Sequence, residues 1–283
     1  MPAIVLSDSL PLAHHVMGAG PPALVIAGGP ARHPSYLQDL AGLTQDLHLV
    51  VPELRGVGDT PLPVDSSRAT WWAQAEDMAE LASTLDTPVT VIAHSAGCRI
   101  AVALASGHPG LVEQLVLITP PPMLEIDTDI EAIIAERDDE AFREALRTLE
   151  HPPDLHDATA HHAWQHAVAP AFYARWDDTT SAHSRIGQWN PEAAAQFFAP
   201  GPVDLREALQ NLPAPTLILA GEKDPTLTPS AARSLAAVLP RAEVVVIDES
   251  GHYPWVEQPS AFRSAVTGFL TEQRAGHVLC ELL

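Results

Sequence analysis

Short apolar segments alternate with amphipathic ones along the first part of the chain. The strand-like runs cover residues 23–27, 47–51, 114–118 and the segment from Val89 into Ser95. Between them, apolar residues recur at helical spacing in 72–85 and 98–105. Largely apolar strands separated by helices predict a parallel sheet that is covered on both faces.

The alternation stops at Pro120–Pro122, because consecutive prolines end regular elements. From there to about Asn211 the apolar residues keep helical spacing, and we predict no strand. Strands are predicted again at 216–220 and 243–247, and helices at about 230–239 and 260–273. We therefore expect a core of residues 1–121 and 212–283 and a helical lid of residues 122–211. Residues 275–283 fit either a frayed end or an ordered strand.

Aromatic residues are 5% of the chain but gather in the predicted lid. They are Trp164, Phe172, Tyr173, Trp176, Trp189, Phe197 and Phe198. We expect two or three of the seven to face a substrate and the others to form core.

Composition narrows the class of protein. The 283 residues are 46% hydrophobic and 18% charged, which is typical of a globular protein. A net charge of −21 argues against nucleic acid and anionic membranes as partners. No apolar run approaches a membrane span and no secretory signal is visible, so we expect a cytoplasmic protein. Cys98 and Cys280 are then expected to be free thiols.

Ser95 lies where a β-branched strand turns into a helix-like segment. Ala93 and Gly97 stand two positions to either side, and small residues there let strand and helix backbones approach each other. This is the pattern of a nucleophile elbow with alanine in place of its first glycine. It predicts Ser95 as a catalytic nucleophile.

Asp224 and His252 also follow directly after predicted strands. Because the carboxyl ends of parallel strands share one rim, both residues should converge with Ser95. A histidine can take the serine proton, and a carboxylate can fix the histidine tautomer. Glu222 and Asp248 compete for the acid role, but we favour Asp224.

An oxyanion needs two N–H donors beside the nucleophile. Ala96 follows Ser95 and supplies one. The other should come from the loop after strand 23–27, where Pro30 has no N–H and Gly29 lets a backbone approach a substrate. We predict Gly29 and Ala96 as the oxyanion hole.

Four loop motifs resemble those of α/β-hydrolase fold enzymes, and of the proline iminopeptidase branch in particular. Residues 27–30 resemble its His-Gly-Gly-Pro motif, and 52–58 resemble its Asp-x-Arg-Gly-x-Gly loop. Residues 221–224 and 250–254 match its acid and base loops, in the order Ser, Asp, His. The resemblance implies a mostly parallel eight-stranded sheet with helices on both faces and a helical lid insertion.

The chain departs from that branch in three places. Ala27 replaces the motif histidine, Ala93 replaces the elbow glycine, and no Trp-Glu-rich lid segment is found, residues 175–178 being the nearest. The last departure puts iminopeptidase activity in doubt more than it does hydrolysis.

Other polar clusters allow two interpretations. Glu53, Arg55 and Asp59 could bind substrate, but we favour a role in bracing their loop. His94 is interpreted as structural. The spacing of His161, His162 and His166 would allow them to bind a metal ion, although we expect no metal.

The sequence therefore predicts a serine hydrolase that needs no cofactor and forms an acyl-enzyme. Its substrate would be a small-molecule or short-peptide ester, amide or thioester, as for an esterase or an iminopeptidase-like peptidase. The alternatives are a biosynthetic enzyme of the same fold (a cyclase, lyase or thioesterase) and a small-molecule receptor without net hydrolysis.

Overall fold

A computed structural model describes residues 1–86, 88–125, 130–137, 139–154 and 157–281, with side chains as far as Gln273. Its strands are β1 Ala3–Val5, β2 Pro11–Met17, β3 Pro22–Ile26, β4 His48–Pro52, β5 Val89–His94, β6 Val112–Ile118, β7 Thr216–Gly221 and β8 Ala242–Ile247. These eight strands form one sheet in the order β1-β2-β4-β3-β5-β6-β7-β8. Strand β2 is antiparallel to both of its neighbours, and all other pairs are parallel. The predicted mostly parallel α/β sheet is confirmed.

The helices are α1 Trp71–Ala82, α2 Gly97–Gly107, α3 Ile130–Glu136, α4 Glu140–Leu149, α5 Ala158–Val168, α6 Asp178–Ser184, α7 Pro191–Phe197, α8 Leu205–Gln210, α9 Pro229–Ala236, α10 Pro254–Glu257 and α11 Pro259–Glu281. The strand that leads to Ser95 is buried along its whole length, as a strand covered on both faces should be. None of the described helices has the length and hydropathy to span a membrane.

Alternate residues of the central strands enter two apolar cores, one on each face. In β3, Leu24 and Ile26 pack in the core that contains α1, α2 and α9. Ala23 and Val25 pack in the core that contains Phe262 of α11. Two-residue alternation explains how one apolar strand serves both cores.

Residues 122–211 contain helices α3 to α8 and, within the described residues, no strand beyond a single bridge from Trp189 to Arg32. All of these helices except α3 begin after an Asp or Asn whose side chain accepts a backbone N–H of the first turn; the caps are Asp139, Asp157, Asp177, Asn190 and Asp204. Such caps stabilise short helices by about 1 kcal/mol each.

The structure of both ends of the chain differs from the elements that the sequence predicts. The hydrophobic pattern predicted neither β1 nor β2, which form an antiparallel edge beside β4. The sequence left a frayed end and an ordered strand open for residues 275–283, and in the structure α11 continues through residues 275–281.

Candidate active site

Ser95 has a φ of 50°, a strained value for a residue that is not glycine. Its N–H donates to the Ile118 carbonyl over 2.9 Å, and its own carbonyl accepts from Cys98 N–H over 2.9 Å at the start of α2. A Cβ on Gly97 would lie 2.9 Å from the Ile26 carbonyl oxygen, so only glycine lets α2 pass this close to β3. The turn at Ser95 is therefore sharp and fixed at both ends.

Asp224 and His252 are brought together at the carboxyl ends of β7 and β8. His252 Nδ1 is 2.7 Å from Asp224 Oδ2 and 2.9 Å from Thr226 Oγ1. Thr226 Oγ1 donates its own hydrogen to Asp224 Oδ1 over 2.6 Å, so it can only accept from the imidazole. His252 therefore carries its neutral-state proton on Nδ1, which leaves the Nε2 lone pair free.

The acid candidates that compete with Asp224 have other positions. Glu222 Oε2 accepts the backbone N–H of Glu249 over 3.0 Å, and Asp248 is exposed at the end of its strand. Asp224 is fully buried. Of the three carboxylates, Asp224 is the one bonded to His252.

Gly29 has a φ of 50°, and a Cβ there would collide with the Trp189 ring, with Cζ3 of that ring 2.7 Å away. Ala96 stands at the entry of α2 as its N-cap. Within the described part of the chain, neither Gly29 N–H nor Ala96 N–H donates a hydrogen bond to a protein group. Both N–H groups are thus available for a ligand oxygen.

Ser95 and His252 line one cavity of about 360 Å³ beneath the helices of residues 122–211. Its wall is mainly apolar and includes Pro30, Trp164, Val168, Ala169, Phe172, Tyr173, Trp189, Ala194 and Phe198. Five of the seven aromatic residues between positions 122 and 211 line it, more than the two or three expected. Trp176 and Phe197 instead pack in the two cores. A cavity of this size and character suits a small, largely apolar ligand.

The cavity wall contains a positively charged side chain without an acidic one. Arg32 lines the cavity and is 97% buried, whereas no Asp or Glu of the described residues lines it. The Arg32 guanidinium stands over the Tyr36 ring, with Cζ 4.2 Å from the ring centroid. The cavity therefore presents a positive charge and no negative one.

The segment from Phe172 to Ala174 holds the His252 loop in place. Phe172 O accepts the His252 N–H over 2.8 Å. Glu257 bridges the two segments, since Oε2 accepts from Gly251 N–H over 2.8 Å and Oε1 from Ala174 N–H over 2.7 Å. Burial raises the pKa of Glu257 to about 7, against the opposing effect of these N–H bonds.

Glu53 and Arg55 brace their loop, as interpreted from the sequence. Arg55 pairs with Asp77 over 2.6 Å and with Asp8 over 2.8 Å. Glu53 Oε2 accepts the Asp59 N–H over 2.6 Å. Neither side chain lines the cavity.

His15, His33 and Glu53 are the one group within the described residues whose donor atoms cluster closely enough for a metal ion. Both imidazole Nε2 atoms lie within 3.0 Å of Glu53 Oε1. Ser35 N–H donates to His33 Nδ1, so His33 keeps its proton on Nε2 and donates it to Glu53. This proton arrangement suits a hydrogen-bonded buried carboxylate better than a metal. The histidines considered from the sequence are placed elsewhere: His161 lines the cavity, and His162 contacts the Trp189 carbonyl.

Sequence reasoning missed Thr226, Arg32 and Tyr253, all of which belong to the site. Thr226 follows Asp224 by two positions, and its N–H also donates to Asp224 Oδ1 over 2.8 Å, which is a common local turn. That spacing was a usable signal. Tyr253 directly follows His252 in the motif of residues 250–254, but the motif alone does not show that its hydroxyl faces Arg32. Nothing in the sequence pattern distinguishes Arg32, because its position depends on carbonyls of Ser184 and Ile186, far along the chain.

Comparison with known proteins agrees with this architecture. The model of the alpha/beta hydrolase fold family matches residues 21–259. A 2-hydroxymuconate semialdehyde hydrolase from Pseudomonas sp. (strain CF600) is 25% identical over 274 residues, 93% of this chain and 92% of that protein. A proline iminopeptidase from Heyndrickxia coagulans is 22% identical over 280 residues, 89% of this chain and 91% of that protein.

A solved structure shows the same fold. The thermophilic esterase from Thermogutta terrifontis superposes with a TM-score of 0.73 at 23% identity, covering 96% of this chain and 98% of that one. This esterase, the semialdehyde hydrolase and the iminopeptidase are all hydrolases, and the prediction of a hydrolase with this fold is confirmed. Because the family model matches most of the length of this chain, the chain belongs to the α/β-hydrolase fold family.

Proposed function

We propose that the protein is a serine hydrolase that cleaves small carboxylic esters through an acyl-enzyme on Ser95. The observation that carries the proposal is the arrangement at His252. Asp224 and Thr226 hold the proton on Nδ1 of His252. His252 and Ser95 line the same cavity. An imidazole held in this tautomer is a ready general base for a serine hydroxyl.

In the proposed first step, Ser95 Oγ attacks the ester carbonyl carbon while His252 Nε2 takes the hydroxyl proton. The carbonyl oxygen becomes an oxyanion that accepts from the Gly29 and Ala96 N–H groups. Asp224 stabilises the imidazolium that forms. The tetrahedral intermediate then expels the alcohol, which receives the proton from His252.

Water completes the cycle. His252 Nε2 removes a proton from the water, whose oxygen attacks the acyl carbon. A second oxyanion forms at the same two N–H groups. When it collapses, the carboxylic acid leaves and the proton returns to Ser95 Oγ.

An ester fits this cavity better than a peptide with a free α-amino group. An ammonium would need a carboxylate partner, and the described cavity wall offers none. It would also share the cavity with the positive charge of Arg32. We therefore favour esterase over iminopeptidase activity.

The test uses p-nitrophenyl butyrate beside prolyl-β-naphthylamide. Ser95→Ala should lower ester kcat/KM by at least about a thousandfold, because the nucleophile is lost. Ser184→Ala is the matched control, since Ser184 lines the same cavity but donates to the Ser181 carbonyl. Full turnover by a folded Ser95→Ala variant would exclude the proposal. A wild type that cleaves the prolyl amide far faster than the ester would exclude the preference for esters.

A further inference from the structure

Arg32 brings a buried positive charge into the cavity without a carboxylate to neutralise it. Its guanidinium donates only to neutral acceptors: the Ile186 and Ser184 carbonyls and the Tyr253 hydroxyl. No Asp or Glu of the described residues forms an ion pair with it, although the chain has 36 acidic residues. Burying an unpaired charge is costly, so the position points to a ligand that supplies the negative charge.

One edge of the guanidinium has a structural role. Nε and Nη2 donate to Ile186 O over 3.1 and 2.6 Å, just after α6, and Nη2 also reaches Ser184 O at 3.2 Å. This edge fastens the loop of Gly29 to the lid. A fastening alone would need no more than these three hydrogen bonds.

The other edge is not saturated. Nη1 donates one of its two hydrogens to Tyr253 Oη over 3.1 Å. Because the Tyr253 oxygen accepts this bond, its own O–H hydrogen remains to be donated, and no described residue accepts it. Burial also raises the pKa of Tyr253, so the hydroxyl stays protonated at neutral pH. One N–H and one O–H therefore remain on neighbouring groups of the cavity wall.

Building on the proposed esterase activity, we propose that Arg32 and Tyr253 form a carboxylate-binding subsite, so that the substrates are monoesters of short dicarboxylic acids. The two oxygens of a carboxylate can accept the free Arg32 Nη1 hydrogen and the Tyr253 hydroxyl hydrogen together. Tyr253 directly follows His252, so the carboxylate lies in the part of the cavity that holds the base. The apolar wall contacts the remainder of the substrate.

The test compares each acidic ester with a neutral isostere. p-Nitrophenyl hemisuccinate is paired with p-nitrophenyl 4-methylpentanoate, in which two methyl groups replace the two carboxylate oxygens. The hemiglutarate and hemiadipate, with their own branched isosteres, vary the distance to the carboxylate. In the wild type, at least one acidic ester should have a kcat/KM about tenfold or more above that of its isostere. A charge-assisted hydrogen bond of ordinary strength corresponds to about that factor.

Two variants assign the preference to the subsite. Arg32→Met should reduce the ratio of acidic to neutral kcat/KM by about ten- to a hundredfold, and Tyr253→Phe by several-fold. Arg137→Met is the matched control, because Arg137 is a buried arginine that already faces Asp139, and the ratio should not change. Using the ratio cancels any general loss of activity caused by loosening the lid.

The outcomes separate this proposal from the proposed hydrolysis. A wild type that prefers every neutral isostere, or a preference that survives in both Arg32→Met and Tyr253→Phe, overturns the subsite. If no ester is cleaved, the hydrolysis fails, and calorimetry decides on the subsite alone. N-Phenylsuccinamic acid should then bind at least about tenfold more tightly than N-phenyl-4-methylpentanamide. Equal affinities of the two compounds would overturn the carboxylate-binding subsite.

Discussion

His94 Nε2 donates a hydrogen bond of 3.1 Å to the backbone carbonyl of His252. The tautomer follows from Tyr36, whose hydroxyl accepts from Gly28 N–H over 2.6 Å and so donates to His94 Nδ1 over 2.8 Å. Burial holds the pKa of His94 well below its usual range, so the ring stays neutral. The residue before Ser95 thus positions the proposed base by its main chain.

Replacing His94 with phenylalanine should slow catalysis with little effect on substrate affinity. An aromatic ring is kept, but the donor to His252 is lost, and one neutral hydrogen bond corresponds to roughly fivefold to tenfold in kcat. Thr119→Val removes the other donor to the same carbonyl, 3.1 Å away, and should have a smaller effect in the same direction. Steady-state kinetics on p-nitrophenyl butyrate measures both. A change in KM alone would mean that His94 does not position the base.

Thr226→Val should lower kcat by about tenfold. The valine removes the hydroxyl that donates to Asp224 and shares the His252 Nδ1 proton, so both groups lose orientation. Thr228→Val is the control, because Thr228 caps α9 by accepting Ala231 N–H over 3.3 Å. That control should lose about 1 kcal/mol of unfolding free energy in urea and keep its kcat. Equal kcat values for wild type and Thr226→Val would show that Asp224 alone orients the base.

The convergence of Ser95, Asp224 and His252 at the sheet rim could be predicted because it depends on local signals. Each residue lies within a few positions of the carboxyl end of a parallel strand, and the topology brings such positions together. Thr226 has the same local origin, in the turn after Asp224.

Acid should weaken the contacts of His183 with Tyr36 and Tyr173. Its Nε2 donates to Tyr36 O over 2.8 Å, and its Nδ1 accepts from the Tyr173 hydroxyl over 2.7 Å, an arrangement that requires the neutral ring. Burial lowers the pKa of His183 from 6.5 to about 4. The unfolded chain therefore binds the proton first, so stability is complete above pH 6.5 and falls by up to about 3 kcal/mol towards pH 4. Urea unfolding from pH 7 to 4 should show a shallower decline in His183→Gln; identical slopes would contradict this assignment.

Titration of Glu257 should lower the free energy of unfolding as pH rises, the opposite of the effect of His183. Its folded-state pKa of about 7 lies above the ordinary value of 4.5, so the native protein holds the proton more tightly than the unfolded chain. Its contribution is complete below pH 4.5 and decreases by up to about 3 kcal/mol as pH rises to 7. Glu257→Gln should remove this component from the same unfolding series. A variant with the wild-type dependence between pH 4.5 and 7 would show that Glu257 titrates normally.

The cavity wall could not be predicted, and the reason is physical. Arg32 reaches carbonyls at Ser184 and Ile186, more than 150 positions away. Helical spacing indicates which face of a segment is apolar. It does not indicate that Phe172 lines the cavity whereas Phe197 packs in the core. Strand β2, which lies between β1 and β4, contains His14 and His15 and so lacks the apolar run that marks the central strands.

Covalent labelling shows whether Ser95 is the nucleophile. A fluorophosphonate should react once per chain, and peptide mass spectrometry should place the adduct on Ser95. Loss of p-nitrophenyl butyrate hydrolysis should follow labelling in step, and folded Ser95→Ala should not react. An adduct on another residue, or full ester hydrolysis by completely labelled protein, would mean that Ser95 is not the nucleophile.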